Sequence, residues 1–125
     1  MFEDTFMNAR AFLGRVRELN HQLEVTRRRL EYRSELGEDT GEVEEWIRNL
    51  EQSILEWKRN VMEALTVLPT AEQAAVIMKR YVDLMTWDEI AADMDIGVRE
   101  VQKLHGKALP ILDVKIEYEE EPDGI

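Results

Sequence analysis

Arg99, Gln102, Lys103 and Lys107 lie close together in the chain, with Val101, Leu104 and Ala108 interleaved among them. On a helix of about 3.6 residues per turn, the three apolar residues share one side. The opposite side then presents Val98, Arg99, Gln102, Lys103, Gly106 and Lys107. These groups suit base edges in a DNA major groove. Arg and Lys pair with guanine, Gln pairs with adenine, and Val covers a thymine methyl. Segment 97–109 sets Arg99, Lys103 and Lys107 against Glu100 alone, so it is locally basic. Gly106 reduces bulk on this surface at some cost in helix propensity. An ordinary solvated helix face is the competing account of the same residues.

Other chemistry has little support. No nucleophile–base pair, Gly-rich phosphate loop or metal-ligand spacing occurs, so neither catalysis nor a metal or cofactor is expected. The chain has no cysteine, and its two histidines, His21 and His105, are far apart. His105 is expected to be an exposed helical residue without a chemical role. The acidic start, Met1-Phe2-Glu3-Asp4, lacks a signal-peptide pattern, and no run reaches the roughly 18 apolar residues of a membrane span. A cytoplasmic protein is expected.

The basic face must be held by other helices. Residues 3–36 read as one long helix, with Phe2, Ala9, Val16, Leu23 and Leu30 on one heptad position and Phe12, Leu19, Thr26 and Arg33 on the next. Residues 37–41 break it, and Asp39 with Glu42 predicts a capping box. The second helix repeats Val43, Leu50, Trp57, Ala64 and Ile47, Ile54, Val61, Leu68. The short connection favours an antiparallel helical hairpin, coiled-coil-like. Trp46 and Trp57 are expected in the hairpin or dimer core. Arg27, Arg28 and Arg29 are expected on a solvated face, with Glu24–Arg28 and Arg27–Glu31 pairs.

Beyond Pro69, Thr70 with Gln73 predicts a helix burying Ala74, Ile77, Met78 and Tyr81. Thr86 with Glu89 opens a short helix with Ile90, Ala91 and Met94 inward. Asp95-Ile96-Gly97 is a tight turn, with Ile96 as its apolar plug. The last helix is expected over about 98–109, burying Val101, Leu104, Ala108 and Leu109, with Pro110 stopping it. Arg80 is expected to pair with Glu89, and Trp87 to pack in the first turn of its helix. Residues 113–125 alternate weakly, then end in an acidic run. They are expected to be extended or disordered.

Net charge is −11, but it is uneven. Residues 1–36 carry seven basic and six acidic groups, and 37–68 three and eight. Residues 69–112 carry five and seven, and 113–125 one and six. Most of the acid thus lies outside the segment with the basic face.

Two short helices joined by a three-residue turn, with small Ala91 in the first, form the helix-turn-helix layout. The run Leu68-Pro69-Thr70-Ala71-Glu72-Gln73, Val76 to Tyr81, Thr86 to Met94, Val98 to Leu104 and Lys107-Ala108-Leu109 resembles region 4 of bacterial sigma factors over about 68–112. In that family the module docks on RNA polymerase and reads the upstream promoter element through its last helix. The whole chain is also similar to small phage and prophage regulators that pair a helical hairpin with such a module. That likeness rests on Arg80-Tyr81, Thr86-Trp87, Glu89-Ile90-Ala91 and His105-Gly106-Lys107-Ala108-Leu109. Related regulators activate late, packaging or autolysin-linked genes.

These readings predict an all-α protein: a hairpin and oligomerisation arm over 1–68, a helix-turn-helix domain over 69–112 and an acidic tail over 113–125. The expected partners are DNA, bacterial RNA polymerase and a second copy of the chain in a homodimer or higher homo-oligomer. No membrane partner is expected. The alternatives are a module that docks on RNA polymerase without reading DNA, and a small terminase-like packaging component.

Overall fold

The computed structural model describes residues 8–120, with side chains to residue 114. Phe2 and the end of the acidic run fall outside this range. Among the described residues all regular structure is helical: α1 (Ala9–Glu35), α2 (Gly41–Ala64), α3 (Ala71–Tyr81), α4 (Trp87–Met94) and α5 (Val98–Glu120). No helix there is long and apolar enough to cross a membrane.

α1 and α2 run in opposite directions along one another. Phe12 meets Trp57 edge-on at 5.1 Å between ring centres, and Arg27 meets Glu51 at 2.7 Å. The apolar stripes close on each other through Val16, Leu19, Leu23, Val43, Ile47, Leu50, Ile54 and Val61. Leu13, absent from the heptad reading, is fully buried as well. Arg27 therefore bonds across the pair instead of along α1 to Glu31. Trp46 is 51% exposed, outside the core between the two helices. The helix start also differs by one residue. Thr40 is the N-cap, with its Oγ1 donating to Glu44 at 2.8 Å, while Asp39 accepts only from the Gly41 N–H at 3.0 Å.

α2 ends at Ala64 and tightens into a 3₁₀ turn, Leu65–Val67. Leu68 is extended, as the residue before a proline must be. One hydrophobic cluster continues past this point, joining α1 and α2 to Ile77 of α3 and to Ala108, Leu109 and Leu112 of α5. A second cluster, Val76, Ile90, Ala91 and Val101, holds α3, α4 and the first half of α5 together. α3 and α5 thus each face both clusters, at adjacent positions in α3 and successive turns in α5.

α5 departs furthest from expectation. It does not stop at Pro110 but runs to Glu120, so residues 113–120 are helical, not extended. A proline removes the hydrogen bond to the carbonyl four residues back, here that of Gly106. Both Pro110 and Gly106 are exposed, so that carbonyl lies on a face open to water. The next turn is anchored: Leu112 is 0% exposed, and the Asp113 carboxylate accepts the Ala9 N–H at 2.7 Å. The first turn of α1 is thereby capped twice, by Asp113 at Ala9 and by its N-cap Asn8 at Ala11, 2.8 Å away. Asp113→Ala is expected to lower stability by about 1 kcal/mol, the usual effect of losing a helix cap. A urea unfolding curve superimposed on the wild type would show that this tether contributes nothing.

Candidate nucleic-acid interface

The candidate face is built on α5 from behind. Thr86 caps α4, its Oγ1 accepting the Glu89 N–H at 3.1 Å, while the Glu89 carboxylate accepts the Thr86 N–H at 2.8 Å. This reciprocal box was legible in the sequence, and it fixes where α4 begins. α4 ends at Asp95, which adopts a left-handed conformation (φ 57°), and the Ile96 N–H closes back on the Ala91 carbonyl at 3.1 Å. The left-handed residue of the turn is therefore Asp95 and not Gly97, whose carbonyl instead accepts the Glu100 and Val101 N–H groups. Asp tolerates this region better than most residues. Half-buried Ile96 packs against the second cluster, and Lys79 of α3 pairs with Asp93 of α4.

With Val101 and Ala108 fully buried, Arg99, Gln102, Lys103, Gly106 and Lys107 are all exposed along one side of α5. Val98 is not part of that surface. It is half-buried against the second cluster, because the first turn of α5 leans onto α4. A Cβ at Gly106 would meet nothing within 4 Å, so the glycine leaves the surface open instead of relieving a clash.

Arg80 does not pair with Glu89, whose carboxylate is occupied by the cap. Its Nη1 donates to the Met85 carbonyl at 3.0 Å, and its guanidinium lies 4.3 Å from the centre of the Trp87 ring. That bond braces the connection between α3 and α4, where Leu84 takes a positive φ of 58°. Trp87 is half-buried at the start of α4, packed as its position suggested.

His105 overturns its expected exposure: it is 7% exposed. Its Nε2 lies 2.6 Å from the Tyr81 hydroxyl, the two rings stack at 5.6 Å, and Trp87 meets it edge-on at 4.9 Å. Burial lowers its pKa to about 4, helped by the positive charges of Arg10 and Arg80. Burial also raises the Tyr81 pKa, against the opposing pull of Arg10, Arg80 and Arg17. At neutral pH this pair is therefore uncharged and structural. The sequence held a signal: positions 101, 105, 108 and 112 follow helical spacing, and histidine sits within that buried stripe.

The third capping site is half made. Thr70 accepts the Gln73 N–H at 3.1 Å, but the Gln73 side chain is buried instead of reaching back, and its Oε1 has no hydrogen-bond partner. Among the described residues no group of three or more His, Cys, Asp or Glu is placed to hold a metal ion. The α5 face offers one guanidinium, from Arg99, two ammonium groups, from Lys103 and Lys107, spaced about a turn apart, and the Gln102 carboxamide, a set suited to phosphates and purine edges. Comparison of the chain with protein-family models, curated proteins and solved structures finds no match.

Proposed function

We propose that the chain is a phage-type transcription regulator, not an enzyme, in which α4, the Asp95–Gly97 turn and α5 act as a sigma-region-4-like helix-turn-helix that enters the DNA major groove. One observation carries this reading: Arg99, Gln102, Lys103, Gly106 and Lys107 form an exposed face on α5, backed by a second short helix across a tight turn. The geometry of such motifs puts the first residues of the second helix at base edges and leaves later ones for phosphates. Arg99 and Gln102 are then the base readers, and Lys103 and Lys107 the groups that hold register.

Selection of binding sites from random duplexes, followed by fluorescence anisotropy, tests this. Arg99→Ala is expected to weaken the preferred site by about 1–3 kcal/mol, roughly ten- to a hundredfold, and to relax its sequence preference. Lys103→Ala is expected to weaken all sequences alike. If both variants bind and discriminate as the wild type does, the face is misassigned. A second reading, docking on RNA polymerase without DNA contact, is favoured by the net charge of −11. Co-purification with polymerase and no DNA retention even at low salt would select it.

A further inference from the structure

The two flanks of the seam between α1 and α2 are unlike. In an antiparallel pair, residues one position before a buried seam residue lie on one flank, and residues one position after it lie on the other. The following positions are charged: Arg17, Glu24 and Arg27 on α1, and Glu44, Arg48 and Glu51 on α2. The Arg27–Glu51 bond of 2.7 Å ties the helices together on this flank. The preceding positions on α2 are Trp46, Asn49, Ser53 and Asn60, ahead of buried Ile47, Leu50, Ile54 and Val61. They carry no charge, in a chain that is 34% charged. On α1 the same flank holds Gln22 and Val25, ahead of Leu23 and Thr26, and Phe12, which meets Trp57. Its charges are Arg15, Glu18 and Arg29 on α1, and Glu42 in the first turn of α2.

This quiet flank is also aromatic. The Arg27–Glu51 contact sets the register, so Tyr32, five residues on in α1, is level with Trp46, five residues back in α2. Tyr32 follows Val25 by seven residues, along the same line of α1. Val25, Tyr32 and Trp46 are 52%, 73% and 51% exposed. Aromatic residues among few charges are the composition of an interface core. α2 spans 24 residues, about 36 Å. Two helices wide, the flank offers on the order of 700 Å², near the ~800 Å² that each partner gives to a standard interface.

We propose that this flank is a homodimer interface, covered by the same flank of a second copy, with both helical pairs pointing the same way. Charge selects the occupant and the direction. α1 carries seven basic and four acidic groups, and α2 three and six. A two-fold axis parallel to the helices lays each α1 over α2 of the other copy, opposite charges together. The reverse direction stacks α1 on α1 and α2 on α2, like on like. In the favoured arrangement Tyr32 of each copy is level with Trp46 of the other. The Asp113 bond to Ala9 holds α5 at the end of the pair away from the 36–40 connection, so both α5 faces lie at one end of the dimer. The interface stands apart from the helix-turn-helix reading. Only its consequence rests on that reading: two half-sites on one duplex.

Sedimentation equilibrium of the full chain without DNA tests the interface. The wild type is expected to dimerise at micromolar concentration. Trp46→Ala and Tyr32→Ala are each expected to weaken the dimer about tenfold or more. Leu55→Ala is the control: Leu55 is 62% exposed but follows Ile54, on the charged flank, and its loss is expected to leave the dimer unchanged. A spin label on Glu38→Cys, the sole cysteine of the variant, reads the direction. Two labels well under the roughly 36 Å length of the pair are expected; a separation at or beyond that length overturns the direction. A monomeric wild type overturns the interface, as does a loss in Leu55→Ala equal to that in Trp46→Ala. Should Trp46→Ala lose its helical circular dichroism, Tyr32→Ala decides. Binding by Arg99→Ala is measured separately, so a failed interface leaves the helix-turn-helix reading standing.

Discussion

Leu112→Ala is expected to destabilise the protein by about 2–5 kcal/mol, the range for a buried leucine whose cavity cannot collapse. Leu112 is fully buried, in the cluster that joins α1, α2, α3 and α5. It lies two residues beyond Pro110, where a proline-terminated helix would have left it in a frayed tail. The packing around it is rigid on several sides, because α1 is tethered next to it through Asp113 and Ala9. Ala108 and Leu109 occupy the preceding turn of the same stripe. Urea unfolding measures the loss directly. The paired control is Val114→Ala, at a position 68% exposed, with an expected change within about 0.5 kcal/mol. Equal and small effects at both positions would mean that α5 does not dock past Pro110.

Acidification is expected to remove up to about 3 kcal/mol of stability through His105 alone. Above its ordinary pKa of 6.5 the ring is neutral in both the folded and the unfolded chain, and contributes no pH dependence. Below 6.5 the unfolded chain takes up a proton that the folded protein refuses until about pH 4. Stability falls through that window at about 1.4 kcal/mol per pH unit and then levels off. The cause is burial first, since charging the ring beneath Tyr81 and Trp87 forfeits its hydration. The positive charges of Arg10 and Arg80 add to this. Carboxylates titrate over part of the same range, so the measurement is a comparison. Wild type and His105→Gln are unfolded in urea from pH 7 to pH 4. The variant is expected to lose less stability, and the difference between the two curves traces the histidine. Parallel curves would show that His105 is solvated in the folded protein.

The all-helical class was legible because helical burial is written in local spacing. Ala9, Val16 and Leu23 repeat at sevens, as do Val43 and Leu50, and the structure buries each of them. The start of α4 was equally legible, since a capping box needs only Thr86 and Glu89 three residues apart. Local rules also identified the exposed Arg99, Gln102, Lys103, Gly106 and Lys107, because Val101 and Ala108 set the orientation of α5. These features depend on neighbours within one or two turns, which the order of residues specifies by itself.

The tertiary structure decided whatever depends on a neighbour distant in the chain. Pro110 has a local tendency to end a helix, and it was outweighed by the burial of Leu112 and the Asp113 bond to a residue 104 positions away. Arg27 exchanged a neighbour on its own helix for Glu51 across the pair. Arg80 took Met85 and Trp87 because Glu89 was already committed to its cap. Val98 turned from the outward face onto α4. His105 joined the core because Tyr81 supplied a partner for its ring nitrogen, which makes burying a polar ring affordable. The basic face with which the sequence began keeps five of its six residues.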